Sequence, residues 1–199
     1  GSGGIRIKEA KDSYCYNNYF ETGSADPVTL QYESSYPLNN ANFIHNTFVN
    51  SGKIDLGKPG PTNVTFANNI FKKNSGNIFK NATGNENWIA NLYWGSLGIS
   101  VASGLTRVDP LLEINSDGYY GLSVESSAID AASENYPEIP DIRGTDDDPF
   151  IVQDIKGLSR LKSNVLKDIG CDEFTNLDKV EQQGESKEYY TSLKRCVKP

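Results

Sequence analysis

The chain has 199 residues, a net charge of −7, 37% hydrophobic residues and no methionine. That length supports one domain with a sizeable core. The acidic balance excludes the basic face that a nucleic-acid binder needs, and no apolar run is long enough to cross a membrane as a helix. Neither nucleic acid nor membrane is an expected partner.

The charge is uneven. Residues 1–110 hold 9 Lys+Arg against 8 Asp+Glu, and residues 111–199 hold 10 against 18. The first part is near neutral and the second carries −8. A polyanionic ligand stays compatible with this balance, because local Arg and Lys in a groove can hold it. The absence of methionine and the bare first strand predict a fragment of a longer protein.

Four segments repeat one pattern: Tyr14-Cys-Tyr-Asn-Asn-Tyr-Phe20, Asn42-Phe-Ile-His-Asn-Thr-Phe48, Val64-Thr-Phe-Ala-Asn-Asn-Ile-Phe71 and Asn87-Trp-Ile-Ala-Asn-Leu-Tyr93. Aligned, they put Asn18, Asn46, Asn69 and Asn91 in one column, spaced by 28, 23 and 22 residues. Phe20, Phe48, Phe71 and Tyr93 follow two positions later. A second track, Ile5, Val28, Ile54 and Ile78, steps by 23, 26 and 24 residues. Two alternating strands per turn at a shared pitch predict an all-β parallel β-helix, a solenoid whose coils bury their apolar side chains only by stacking. Asn suits the bend of such a coil, since it tolerates left-handed backbone angles and its amide can bond to the Asn above and below.

In chain order, residues 1–95 read as β-helix coils, residues 96–174 as irregular final coils and a cap, and residues 175–199 as a short helical tail. Glu21 to Pro27 is a polar turn, Glu33 to Ala41 a longer excursion and Gly57-Lys-Pro-Gly-Pro61 a rigid bend. Gly98-Ile-Ser-Val101, Arg107-Val-Asp-Pro-Leu111 and Gly121-Leu-Ser-Val124 read as the last coils, and Ala128-Ile-Asp-Ala-Ala132 as a short helical turn. Asp141-Ile-Arg-Gly144 and Asp168-Ile-Gly-Cys-Asp-Glu-Phe174 bracket a polar loop.

Cys15, Cys171 and Cys196 lack metal-ligand spacing. Cys15 reads as a buried small apolar residue, and Cys171 and Cys196 are open to a bridge in an oxidising compartment. Asp146-Asp-Asp148 lacks the spaced ligands and glycine of a calcium loop and reads as a solvated acidic loop. His45, the one histidine, reads as a satisfied structural residue, and the absence of other histidines argues against a histidine triad or a zinc site. Asn63-Val-Thr65 and Asn81-Ala-Thr83 are glycosylation sequons, relevant only in a eukaryotic secretory setting.

Together Gly3-Gly-Ile-Arg-Ile7, Tyr16-Asn-Asn-Tyr-Phe20, His45-Asn-Thr-Phe-Val49, Asn63-Val-Thr-Phe-Ala-Asn-Asn-Ile70, Val108-Asp-Pro-Leu-Leu112, Ser127-Ala-Ile-Asp-Ala131 and Asp168-Ile-Gly-Cys-Asp-Glu173 resemble polysaccharide lyase family 6. The likeness spans roughly residues 3–174. This family holds alginate lyases and chondroitinase B, and the resemblance implies a right-handed parallel β-helix in a secreted or periplasmic enzyme. It also implies β-elimination at a uronate of alginate, which requires a neutralised sugar carboxylate and a base. In the family these come from a calcium ion and a catalytic Lys and Arg upstream of the Gly-Gly-Ile-Arg-Ile string. The Arg-His-Gly string that carries the catalytic Arg is absent here. No catalytic or metal-binding residue is therefore expected within this chain, and the chain alone is expected to be inactive unless the missing part joins it as a second chain.

Substrate binding is what remains. Arg6 lies between Ile5 and Ile7 and so faces outward if they face inward; in the family an Arg at this string meets substrate carboxylates, and the alternative is a surface Arg paired with Glu9 or Asp26. Lys8, Gln31 and Tyr32 are the further candidates, with Thr29, Lys53 and Asp55 continuing the same outer face. Two other classes stay open: a non-catalytic carbohydrate-binding β-helix, and another β-helix enzyme such as a pectate lyase or epimerase.

Overall fold

A computed structural model describes residues 4–31, 38–57, 62–139, 154–157, 160 and 167–175. Among them are fifteen strands and no helix. Thirteen strands form three parallel sheets. The first holds β1 (Ile5–Lys8), β4 (Val28–Gln31), β7 (Ile54–Asp55) and β10 (Phe79–Lys80). The second holds β2 (Lys11–Tyr16), β5 (Asn39–Ile44), β8 (Thr62–Ala67) and β11 (Asn87–Ile89). The third holds β3 (Tyr19–Phe20), β6 (Thr47–Val49), β9 (Ile70–Asn77), β12 (Asn91–Ser96) and β13 (Leu105–Arg107). From β1 to β12 the chain visits the three sheets in strict rotation, and each strand pairs with its counterpart one circuit later. The pattern breaks at β13, which adds to the third sheet directly. A small antiparallel hairpin follows, β14 (Leu112–Ile114) and β15 (Tyr120–Leu122).

Three sheets replace the two tracks read from the sequence. Each repeat of the first track is two strands with a corner between them, and that corner is the asparagine column. The work at the corner is divided between two neighbouring positions. Asn17, His45, Asn68 and Ala90 take the left-handed conformation, with φ of 55°, 53°, 55° and 47°. The asparagine after each one builds the ladder. Asn46 Oδ1 accepts from the Asn18 backbone N–H (3.0 Å) and Nδ2 (3.1 Å), Asn69 Oδ1 from those of Asn46 (2.9 and 3.0 Å), and Asn91 Oδ1 from those of Asn69 (3.0 and 2.9 Å). Every bend donor is thereby satisfied inside a dry interior, where an unmet one would be costly.

The aromatic column is in register: Phe20 pairs with Phe48, Phe48 with Phe71 and Phe71 with Tyr93. The Phe20–Phe48 and Phe48–Phe71 rings stack at 4.6 and 5.2 Å. The second sheet sends in a parallel pile, Phe43 on Phe66 at 4.9 Å and Phe66 on Trp88 at 4.8 Å. These rings, with Val28, Leu30, Ile54 and Phe79 from the first sheet, make the central core. The second track needs one correction. Phe79, not Ile78, stands over Ile54, although both are buried.

The slip has a cause in β9. Lys72 pairs with Trp94 and Asn77 with Ser96, so a step of five residues (77 − 72) faces a step of two (96 − 94). The extra length bows outward through Gly76, which takes φ 73°.

The later residues lie along the side of the stack. Val49, Ile70 and Leu92, on the outer face of the third sheet, share a second apolar cluster with Leu112, Leu122, Ala128 and Ile169. Residues 98–101 form no strand, and Ala128–Ala132 forms a turn without becoming a helix. Asp141–Gly144, Asp146–Asp148 and the expected helical tail after Thr175 lie outside the described residues, as does Cys196. Cys171 is a buried free thiol.

Candidate functional site

Because the side chains of the first sheet alternate, Ile5 and Ile7 point toward the core side with Val28, Leu30 and Ile54, and the residues between them point out. The parallel register then sets Arg6, Thr29, Asp55 and Lys80 in one outward row, with Lys8 beside Gln31 in the next. At about 4.8 Å per strand the first row spans about 14 Å. Arg6 is exposed and meets neither Glu9 nor Asp26: Glu9 pairs with Lys8 at 3.1 Å, and Asp26 with Lys80 at 2.7 Å. Gln31 and Thr29 are half-buried, and Tyr32 lies outside the described residues.

At its Lys80 end the row opens into a cleft of about 550 Å³. Successive circuits build its wall from the turns that join the third sheet to the first: Gly23–Asp26, then Asn50–Lys53, then the bowed part of β9 with Lys73. The turns pack tightly. A Cβ on Gly52 would sit 2.3 Å from the carbonyl oxygen of Ala25, so only glycine lets these two turns meet. On the far side Gly95, with φ 123°, admits the bow, because a Cβ there would lie 2.4 Å from the Lys73 carbonyl oxygen.

Three lysines and one carboxylate line this cleft. Lys80 is locked between Asp26 (2.7 Å) and Asp55 (3.2 Å). Its hydrogen bond to Asp26 is the main reason its ammonium is held above the ordinary lysine range, with Asp55 adding to it against some burial. Burial pulls the Asp26 carboxyl up, but donation from Lys80 and from the Lys53 N–H outweighs it and keeps the group below the usual carboxylate range. Lys73 donates to the Gly52 carbonyl at 2.9 Å, and burial, then the nearby Lys53 charge, lower its pKa. Lys53 is exposed, and its ammonium has no ion pair among the described residues. Asp26 and Asp55 together stand against three lysines, which leaves the cleft with an excess of positive charge on the Lys53 and Lys73 side.

A different polar cluster sits behind the corner column, around the His45 that the sequence read as a satisfied structural residue, while its Arg160 carried no sequence signal. The His45 ring is fully buried. Asn68 is fixed by a two-way exchange with the Ser133 backbone, accepting from its N–H and donating to its C=O. Its Nδ2 also lies 3.2 Å from His45 Nε2, while His45 Nδ1 lies 3.1 Å from both the Asp168 carbonyl and an Arg160 guanidinium nitrogen. Burial, with the Arg160 and Lys167 charges, keeps this ring neutral, its pKa well below the usual value. Arg160, 3% exposed, donates to the carbonyls of Asp168 and Gly170 and to Glu173. Burial lifts the Glu173 carboxyl to about 7 against the pull of that guanidinium. None of its residues lines the cleft; it ties the late segment to the corner.

Among the described residues no group of three or more His, Cys, Asp and Glu side chains is arranged to hold a metal ion, and no helix is long and apolar enough to cross a membrane. Comparisons with family models, curated proteins and solved structures found no match.

Proposed function

We propose that this chain is the groove-bearing part of a polysaccharide lyase acting on alginate, built as a right-handed parallel β-helix. Three sheets visited in rotation support the architecture. The observation that carries the functional reading is the outward row Arg6, Thr29, Asp55 and Lys80, with Lys8 and Gln31 beside it, leading into a cationic cleft. Stacked strands repeat at about 4.8 Å, close to the advance per sugar of an extended polysaccharide, so each circuit can offer one group to one sugar unit. The guanidinium of Arg6, exposed and without an ion pair among the described residues, suits two-point binding of a uronate carboxylate.

On this reading the chain binds and orients the polymer, while the catalytic Lys and Arg and the calcium ligands belong to the family's upstream segment. Elimination would then need that segment, in the same chain or as a second one.

Ultraviolet absorbance of unsaturated uronate tests the reading. The chain joined to its natural upstream segment should release it from alginate faster than from dermatan sulfate or pectate. Arg6→Ala in that protein should lower substrate use without unfolding it. Alginate binding without cleavage would favour a carbohydrate-binding β-helix instead, and release from pectate alone would favour a different β-helix enzyme.

A further inference from the structure

The cleft beside the row is distinct from the flat face. It is concave, its wall comes from three successive turns, and it shares Lys80 with the row while adding Lys53 and Lys73, which the row does not contain. We propose that it is a separate binding subsite for a carboxylated sugar unit, with Lys53 and Lys73 as the anion-holding pair and Lys80 as a fixed wall. This rests on the uronate-polymer reading above.

The roles follow from the partners. Lys80 is held by Asp26 and Asp55 and cannot turn to a ligand without giving up both. Lys73 keeps one donor on the Gly52 carbonyl, and an ammonium carries three, so two remain for a ligand. Lys53 rises from the middle turn, exposed and without an ion pair among the described residues. A carboxylate between Lys53 and Lys73 would relieve the repulsion between these two cations, which Asp26, bonded to Lys80, offsets only in part. The ring of the sugar would rest on Gly23, Ser24, Asn74 and Ser75, whose small polar groups suit hydroxyls. The bow in β9 is the device that makes the site, because it carries Lys73 away from the sheet and over the turn that bears Lys53.

Titration calorimetry on the 199-residue chain tests this, with tetramannuronate as the anionic probe and cellotetraose as the neutral one. Lys53→Ala and Lys73→Gln are each expected to weaken tetramannuronate binding about tenfold, the loss of one charge-assisted hydrogen bond. Lys53→Ala should leave the urea midpoint unmoved, so its effect cannot be ascribed to folding. Unchanged affinity in Lys53→Ala with weakened affinity in Arg6→Ala would overturn the cleft while leaving the face reading intact. The reverse pattern supports the cleft and removes Arg6 from the face. Equal binding of cellotetraose would overturn charge recognition at the site, and so would failure of tetramannuronate to bind at all.

Discussion

Asn69 accepts from Asn46 through its side-chain oxygen and donates to Asn91 through its side-chain nitrogen, at 3.0 and 2.9 Å, with no exposure to solvent. One amide thus joins three circuits, and its Nδ2 also reaches the Phe43 carbonyl at 2.9 Å. Asn69→Ala would strand the Asn46 donors and that carbonyl in the interior. It should destabilise the chain by about 3 kcal/mol or more, given 1–3 kcal/mol for each buried group left unmet. Asn18→Ala, at the half-buried end of the ladder, should cost only about 1 kcal/mol. Urea unfolding of both variants checks the ranking, and equal losses would contradict the ladder.

His45 predicts an acid dependence of stability. Its folded pKa is depressed, so the stability it confers is fully present above the unfolded value of about 6.5 and is lost as pH falls below it. Asparagine occupies the equivalent corner positions 17 and 68 with the same backbone angle, so His45→Asn keeps the bend. The stability gap between the wild type and this variant should narrow by about 1 kcal/mol between pH 6.5 and 5.5. A gap that held constant over this range in urea titrations would mean that the ring takes up a proton in place.

Arg160 binds the late segment to the corner from a buried position, and its removal takes the charge partner from the Glu173 carboxyl and a donor from the carbonyls of Asp168 and Gly170. Arg160→Ala should destabilise by about 3–5 kcal/mol, the range for breaking a buried ion pair from one side. Limited proteolysis should then cut within residues 154–175 before it cuts the three sheets. Cleavage first in the sheets would show that the segment does not depend on Arg160.

Burial pushes the thiols of Cys15 and Cys171 up to about 12. Since the thiolate is the reactive form, neither should take up maleimide at pH 8 in the native protein, and both should do so in urea. Mass mapping of labelled peptides separates them from Cys196, and prompt native labelling of Cys171 would place it at the surface.

What the sequence disclosed was whatever repeated. The Asn and Phe columns could be read because each has to stand over its own copy one circuit away, and a periodic requirement leaves a periodic trace. The division of the corner into a left-handed residue and a ladder residue was hidden, because Asn fills both roles at positions 17–18 and 68–69. The one-residue slip from Ile78 to Phe79 came from a bow that alters length without altering composition. Arg6, Lys8 and Gln31 could be assigned to the outer face by alternation alone. Lys73 could not, since it lies in the bow and belongs to neither track. Arg160 meets His45 across 115 positions, and no local pattern carries such a partnership.

The backbone N–H of Cys171 donates to Thr47 Oγ1, and the Asp168 carbonyl meets His45 Nδ1, partners made 124 and 123 positions earlier. On a ribosome, then, the outer side of the third sheet, which Leu112, Leu122 and Ala128 reach first, stays incompletely covered until Ile169 has been translated. Val49, Ile70 and Leu92 are only partly covered during that interval, so the nascent chain would present an adhesive surface to chaperones until the late segment docks.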